Sequence, residues 1–119
     1  MKRKTIRNHK DFFVPQDGIH VAMDCFLAKA KPAKIPGDAR YGLIVSKKTF
    51  KMAVHRNRAK RLIRNWIAEN EGLMLPDLDY IFIVRNTLLD YDHKKGSRQI
   101  KRALSKISKI YNQDAKESC

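Results

Sequence analysis

Apolar residues recur with a two-residue period in some segments of the chain and a three-to-four-residue period in others. Residues 21–30 come close to strand-like alternation, and residues 41–46 are a short run rich in β-forming side chains. Residues 31–38 contain two prolines and a glycine, which predicts a loop that makes residues 41–46 the hairpin partner of residues 21–30. Residues 80–84 are continuously apolar, which predicts a central strand covered on both faces.

Three segments carry helical signals. Residues 6–13 predict a short helix that Pro15 ends, because proline disfavours helix at the preceding residue and lacks a backbone donor. Residues 52–70 predict the clearest helix, followed by a glycine and a proline. Residues 97–112 predict an amphipathic helix from the spacing of their apolar residues. Helices interleaved with strands predict a small α/β layer structure.

The length and composition suit one domain. The chain has 119 residues, of which 43% are hydrophobic, and this supplies a core without disulfides or a structural metal. We expect a single domain over residues 1–119, with a flexible basic tail at about residues 1–5 and another tail at about residues 113–119.

The charge is unbalanced and concentrated in blocks. The chain has 26 Lys and Arg against 12 Asp and Glu, which gives a net charge of +14. Residues 39–68 contain nine cations and no acid, and residues 93–113 contain seven cations and no acid. This charge favours a polyanionic partner, with nucleic acid first and an anionic membrane surface second. For the second block, a solvated helix face is an equal alternative.

Cysteine usage and hydropathy indicate a reducing, intracellular environment. Cys25 and Cys119 have no Cys or His partner at zinc spacing, and the apolar surroundings of Cys25 predict a buried thiol. No window approaches the ~20 apolar residues that a bilayer crossing requires, and no secretory signal is recognisable. We therefore expect a soluble, cytoplasmic protein with no membrane partner.

The helix over residues 52–70 has two contrasting faces. At ~100° per residue, one stripe is apolar and consists of Ala59, Leu62, Ile63, Trp66 and Ile67. The opposite side is cationic and has no acid before Glu69. Like charges at three-and-four spacing repel, so phosphates that screen them favour the folded helix. Arginine forks grip phosphate oxygens, and binding through such contacts depends steeply on salt.

The chain shows no constellation of catalytic residues. Its four histidines are dispersed, and carboxylates are absent from the cationic block where a metal-dependent nuclease would need them. The nearest carboxylate pairs, Asp77 with Asp79 and Asp90 with Asp92, predict turn and capping roles. We expect no catalytic residue and no metal bound by the protein alone.

The order of motifs in the cationic block resembles that of the bacterial ribonuclease P protein subunit family. The run Ser46-Lys47-Lys48 is followed after seven residues by Arg56-Asn57-Arg58, matching the family's strand, lysine pair and Arg-Asn-Arg helix. A looser resemblance extends over most of the chain. It implies an α+β two-layer sandwich with a mixed sheet of about four strands and a left-handed crossover into the Arg-Asn-Arg helix.

The resemblance also implies a function. The family's protein is the small partner of a catalytic RNA, which uses bound Mg²⁺ to cleave the 5′ leader from precursor tRNA. The expected partners are that RNA and precursor tRNA, with no obligate protein partner, and the holoenzyme is a ribonucleoprotein endoribonuclease. The alternatives are a generic basic RNA-binding or ribosomal protein, and a DNA-binding protein that places the same helix in a major groove.

Two sets of site residues follow from the resemblance. The side chains expected to contact the catalytic RNA are Lys47, Lys48, Arg56, Asn57, Arg58, Lys60, Arg61 and Arg64. Those expected to line a leader cleft are Phe12, Phe13 and Phe26, since aromatic faces stack on unpaired bases. Phe12 and Phe13 are adjacent, so one of them is expected to pack in the core instead. Plain core packing is an alternative for all three.

Overall fold

The computed structural model of the chain describes residues 4–6, 9–34, 37 and 40–117. Within these residues five strands form one mixed sheet: β1 Lys4–Thr5, β2 Ile19–Ala22, β3 Phe26–Pro32, β4 Arg40–Ile44 and β5 Leu78–Val84. Two α-helices follow, α1 Ala53–Glu69 and α2 His93–Glu117, with short 3₁₀ helices at His9–Phe12, Glu71–Leu73 and Asn86–Asp90. The sheet has four longer strands and the two-residue β1, so the predicted α+β architecture is confirmed.

The strand order is β1-β4-β5-β3-β2. Strand β4 runs parallel to both β1 and β5, whereas β3 is antiparallel to β2 and β5. The parallel neighbours β4 and β5 are connected through α1. The family resemblance implies that this crossover connection is left-handed. That handedness stays a prediction.

The predicted hairpin between residues 21–30 and 41–46 is wrong. Residues 21–30 hold the end of β2, a turn and most of β3, and these two strands pair with each other from Ile19↔Ala30 to Ala22↔Leu27. The turn interrupts the alternation, because both Cys25 and Phe26 are buried although they are adjacent. Strand β4 pairs instead with β1 and β5, so β5 lies between β3 and β4 and these two strands do not form a hairpin.

The sheet separates two apolar clusters. Alternate residues of the strands, such as Phe26, Tyr80 and Phe82, pack with buried residues of both helices into the main core. The opposite face of the sheet carries a smaller cluster of Ile6, Val14 and Ile81, with Phe12, Ile44 and Ile83 partly buried against it. Strand β5 is buried along nearly its whole length because it is covered on both faces, as its continuous apolar run predicts.

Both long helices form where their sequence patterns predict them, but the predicted ends are closer to the observed ends for α1 than for α2. The residues of α1 that are buried are Ala59, Ile63, Trp66 and Ile67. Helix α2 runs from His93 to Glu117 and is longer than the predicted 97–112. The Asp92 carboxylate accepts a 2.8 Å bond from the Lys95 backbone N–H, so its predicted capping role is confirmed.

The amino-terminal segment departs from its prediction. Within the expected helix over residues 6–13, the structure has a 3₁₀ helix at His9–Phe12, whereas residues 7–8 lie outside the described residues and Lys4–Thr5 form the edge strand β1. The Ile6 backbone N–H donates to the Tyr41 carbonyl at 2.8 Å, which extends the pairing of β1 with β4. Part of the expected tails is therefore in regular structure, whereas residues 1–3 and 118–119, including Cys119, lie outside the described residues.

The end of α1 is joined to the start of α2 by close packing and hydrogen bonds. A side chain at Gly96 would overlap the Trp66 ring, which is wholly buried. The Asn70 side-chain amide donates to the Trp66 carbonyl at 2.8 Å and to the Ser97 hydroxyl at 3.1 Å. His93 Nε2 lies 2.6 Å from a Glu69 carboxylate oxygen. These contacts hold the start of α2 against the end of α1.

Cys25 is a buried thiol, as its apolar surroundings predict. Its side chain is wholly inaccessible. Burial raises the pKa of the Cys25 thiol to about 11, so the reactive thiolate is scarce near neutral pH.

The Gly96 contact generates a stability prediction. We expect Gly96→Ala to lower the free energy of unfolding by about 1–3 kcal/mol, because the new methyl group forces the Trp66 ring to move in a close-packed core. The measurement is urea denaturation. Gly72→Ala is the matched control, because an added methyl group there meets no neighbour and the change should stay within about 0.5 kcal/mol. Equal effects of the two substitutions would contradict this account of the packing.

Candidate nucleic-acid interface

The turn before α1 holds a pair of exposed lysines. The Ser46 hydroxyl accepts a 3.2 Å bond from the Thr49 backbone N–H, and the Ser46 carbonyl accepts a 3.0 Å bond from the Phe50 N–H. Phe50 is buried and anchors the far end of the turn. Lys47 and Lys48 lie on this turn with exposed side chains, so the fold presents both immediately before the helix.

Arg56 fixes the start of α1. One terminal guanidinium nitrogen donates to the Phe50 carbonyl at 2.8 Å and to the Lys51 carbonyl at 3.1 Å. The side chain is half-buried as a result. Met52 provides no side-chain cap, and the first turn of α1 contains no acid. The backbone N–H groups and positive dipole at this end therefore favour an anion.

The remaining predicted RNA contacts of α1 form its solvent face. Asn57, Arg58, Arg61 and Arg64 are exposed, and Lys60 is half-buried at the margin. Over the described ranges, no Arg or Lys of α1 forms an ion pair with a carboxylate; the Lys and Arg ion pairs there involve Lys34 and Arg40. We call this surface, with Lys47, Lys48 and Arg56, the α1 face.

A groove of about 750 Å³ runs between the α1 face and the edge of the sheet. Its floor includes Thr5 of β1 and Tyr41 of β4, so two strands distant in sequence complete the surface of the helix. Burial raises the pKa of the Tyr41 phenol, with Arg64 lowering it and Glu71 raising it, so the hydroxyl stays protonated at neutral pH. The residues from α1 that line the groove are Asn57, Lys60, Arg61, Arg64, Asn65 and Ala68.

Sequence reasoning missed the non-helical part of this groove. Thr5 and Tyr41 carry no charge, so only the pairing of β1 with β4 reveals their place beside the helix. Glu71, which follows α1, also lines the groove and places one acid among its cations. Asn65 could have been included, because it lies beside the cationic residues on the helical wheel.

Phe12 lies on the opposite side of the sheet from both helices. Its partly buried ring packs on Gly42 of β4, where a side chain would overlap the ring atoms. Two cations of β3, Lys29 and Lys31, alternate with buried Ala28 and Ala30 and therefore share this side of the sheet. We call this surface the open face.

The other two phenylalanines have different positions. Phe13 is 71% exposed, and its backbone carbonyl accepts a 2.8 Å bond from the Lys31 ammonium group. Phe26 is wholly buried in the main core and contacts Phe82 edge-on, with ring centroids 5.7 Å apart. The prediction that Phe26 lines a leader cleft is wrong, because its side chain points to the helix side of the sheet and reaches no incoming strand.

Comparison with known proteins agrees with this arrangement. The sequence model of the family described as Ribonuclease P matches residues 1–108 of the chain. The chain belongs to the ribonuclease P protein family. A protein component of ribonuclease P from Lactobacillus delbrueckii subsp. bulgaricus is 35% identical over 117 residues, covering 98% of this chain and 97% of the relative.

Two solved ribonuclease P proteins have the same architecture. The protein from Thermotoga maritima superposes with a TM-score of 0.73 at 23% identity, covering 88% of this chain and 98% of the other, which supports the fold. The protein from Staphylococcus aureus superposes with a TM-score of 0.66 at 31% identity, covering 92% and 96% of the two chains. The predicted family, and a function as the protein component of the endoribonuclease that matures tRNA 5′ ends, are confirmed.

The described part of this ribonuclease P protein contains no group of three or more His, Cys, Asp or Glu side chains that could hold a metal ion. None of its helices in that part is long and apolar enough to cross a membrane.

A buried ion-pair network joins the 3₁₀ helix at His9–Phe12 to the sheet. Asp79, on β5, is wholly buried and accepts a 2.8 Å bond from the Arg40 backbone N–H and a 3.2 Å bond from the Arg40 guanidinium. The same guanidinium donates to Asp11 at 3.2 Å. Burial lowers the pKa of Arg40, but the bonds to Asp79 and Asp11 outweigh it and raise the pKa overall.

The turn role predicted for Asp79 is therefore wrong. A carboxylate inside an apolar strand requires a paired cation, because an unpaired buried charge is costly. That requirement could have been read from the sequence, but the identity of the partner could not. Arg40 is 39 positions away and reaches Asp79 only because β4 and β5 are neighbours. Since Asp11 precedes Phe12 directly, the network ties the segment that carries Phe12 to the sheet.

We expect Arg40→Met to lower the free energy of unfolding by about 3 kcal/mol, because it leaves the buried Asp79 carboxylate without a counterion. Chemical denaturation measures the loss. Asp79→Asn should lower the free energy of unfolding less in the Arg40→Met background than in the wild type, because the two side chains are coupled. Arg85→Met, at an exposed position, is the matched control and should stay within about 0.5 kcal/mol. Simple additivity of the two changes would refute the coupling.

Proposed function

We propose that this protein binds the catalytic RNA of ribonuclease P through the α1 face and the 5′ leader of precursor tRNA through the open face. The RNA holds the Mg²⁺ ions and performs the cleavage, and the holoenzyme works in the cytoplasm. The protein contributes binding and positioning, without a catalytic residue of its own.

The α1 face is the observation that carries the proposal. Buried Ala59, Ile63, Trp66 and Ile67 hold the helix in one orientation, so its cations must face solvent. The exposed arginines Arg58, Arg61 and Arg64 are spaced three positions apart along the helix, and their guanidinium groups can engage successive phosphates. The groove beside them adds hydroxyl and amide groups that can donate to sugar and phosphate oxygens.

The open face suits a single strand of RNA. Phe12 offers an aromatic ring packed on Gly42, and Lys29 of β3 is in register with Gly42 across the intervening β5. Exposed Phe13 lies next to Phe12 in sequence. Aromatic stacking combined with nearby cations binds unpaired nucleotides with little sequence preference, as a substrate with variable leaders requires. The α1 face and the open face lie on opposite sides of one sheet, so each surface can bind its RNA without obstructing the other.

The chemistry of the two faces supports the proposal that the RNA performs the cleavage. Within the ranges that the structure describes, neither face presents a group of three or more His, Cys, Asp or Glu side chains that could hold catalytic metal ions. The contribution of the chain is electrostatic: its cations reduce the repulsion between two RNA molecules that must approach each other.

We expect Arg61→Gln/Arg64→Gln to weaken assembly with the catalytic RNA about tenfold at ~0.1 M salt. The slope of log K against log salt should become shallower by about two, one for each lost phosphate contact. Equilibrium binding across a salt series measures both quantities. The control is Lys34→Gln/Arg85→Gln, which removes the same charge from exposed positions outside the α1 face. Equal losses in both variants would indicate a net-charge effect and contradict a specific surface.

We expect Phe12→Ala to weaken binding of precursor tRNA to the holoenzyme about fivefold or more, since stacking contributes about 1–3 kcal/mol per base. Binding of leaderless tRNA and assembly with the catalytic RNA should be unchanged. Phe12→Leu keeps apolar packing on Gly42 but cannot stack on a base, so it should share the defect. Recovery of leader binding in the leucine variant would show that the ring serves only as packing.

A further inference from the structure

Helix α2 carries a second cationic surface that the α1 face does not include. All seven cations between His93 and Gln113 are exposed: Lys94, Lys95, Arg98, Lys101, Arg102, Lys106 and Lys109. We call these residues the α2 stripe. The stripe contains no acid, and none of its cations forms an ion pair within the described residues.

The orientation of the α2 stripe is fixed by the core. The opposite side of the helix buries Ile100, Ala103, Leu104 and Ile107, all of them wholly inaccessible. The helix therefore has no free apolar side to insert into a lipid bilayer, which disfavours the membrane-surface alternative. Its like charges at three-and-four spacing repel one another. Glu69, which lines a pocket with Lys94, Arg98 and Lys101, accepts a 3.0 Å bond from the Ser97 hydroxyl and lies 2.6 Å from His93 Nε2.

The dimensions of the stripe suit a nucleic-acid backbone. From Lys94 to Lys109 it extends roughly 22 Å at ~1.5 Å per residue, which is long enough to follow several phosphates. Arg98, Lys101, Arg102, Ser105 and Lys106 line a shallow groove of about 600 Å³ along its middle. A serine hydroxyl between cations adds a hydrogen-bond donor to the charge.

The stripe lies away from the α1 face but on the same side of the sheet. Helix α2 packs on α1 and on β2, which is the last strand in the sheet order. The α1 groove instead borders β1 and β4, at the other end of that order. With five strands at ~4.8 Å spacing, the two surfaces are on the order of 20 Å apart. Because of this separation, an RNA segment short enough to fit within the α1 groove does not also contact the α2 stripe.

We infer that the α2 stripe binds the sugar-phosphate backbone of a second segment of the catalytic RNA, separate from the segment on the α1 face. The inference rests on the proposed function. It assigns the catalytic RNA, not the precursor, because both helices form the layer on one side of the sheet and the open face lies on the other.

Arg102→Gln/Lys106→Gln tests this inference in the full-length protein. Both side chains are exposed, so the fold should persist, and thermal unfolding monitored by circular dichroism checks this. We expect about tenfold weaker assembly with the catalytic RNA at ~0.1 M salt and a salt slope shallower by about two. The Lys34→Gln/Arg85→Gln variant, with the same loss of charge, should behave like the wild type.

Hydroxyl-radical footprinting of the assembled catalytic RNA locates the contact. We expect Arg102→Gln/Lys106→Gln to expose one protected backbone segment and Arg61→Gln/Arg64→Gln to expose a different one. The inference is overturned if the α2 variant keeps wild-type protection, if both variants expose the same segment, or if protection is lost only on bound precursor tRNA. If the wild-type protein itself fails to bind the catalytic RNA, the proposed function is overturned as well.

Discussion

The rest of the structure depends on the burial of one side of α1 against the sheet. Trp66, Ile63 and Ile67 are wholly inaccessible, and the helix cannot rotate without exposing them. This apolar contact, worth roughly 1.5–3 kcal/mol for each large side chain, is what keeps a row of like charges pointing toward solvent. The electrostatic surface is therefore a consequence of hydrophobic packing, and a polyanion encounters cations whose positions are already set.

The central strand gives the protein its two separate surfaces. Because β5 is covered on both faces, one sheet supports a helical layer on one side and the Phe12 cluster on the other. The buried Asp79 and its partner Arg40 connect β5 with β4 and with the segment that carries Phe12. A charge inside the protein thus anchors the segment that carries Phe12 to the sheet.

Local patterns predicted those parts of the fold that depend on neighbours within a few residues. The α1 period, the capping role of Asp92 and the buried central strand all follow from such patterns. The hairpin prediction failed because the turn after Ala22 reverses the alternation, and a two-residue period does not identify the partner of a strand. Phe26 was placed in the leader cleft by the family resemblance, but it lies in the main core, because the register of β3 decides which face of the sheet a side chain occupies.

The sequence alone determined the family, the acid-free cationic face of α1 and the need for a polyanionic partner, because helical periodicity and charge are local properties of the chain. Only the tertiary structure decided that Tyr41 and Thr5 border the α1 groove, that Arg40 neutralises Asp79, and that Phe12 lies on Gly42. Each of these contacts joins residues far apart in the chain. They depend on which strands are neighbours, and strand order results from packing the whole sheet against its helices.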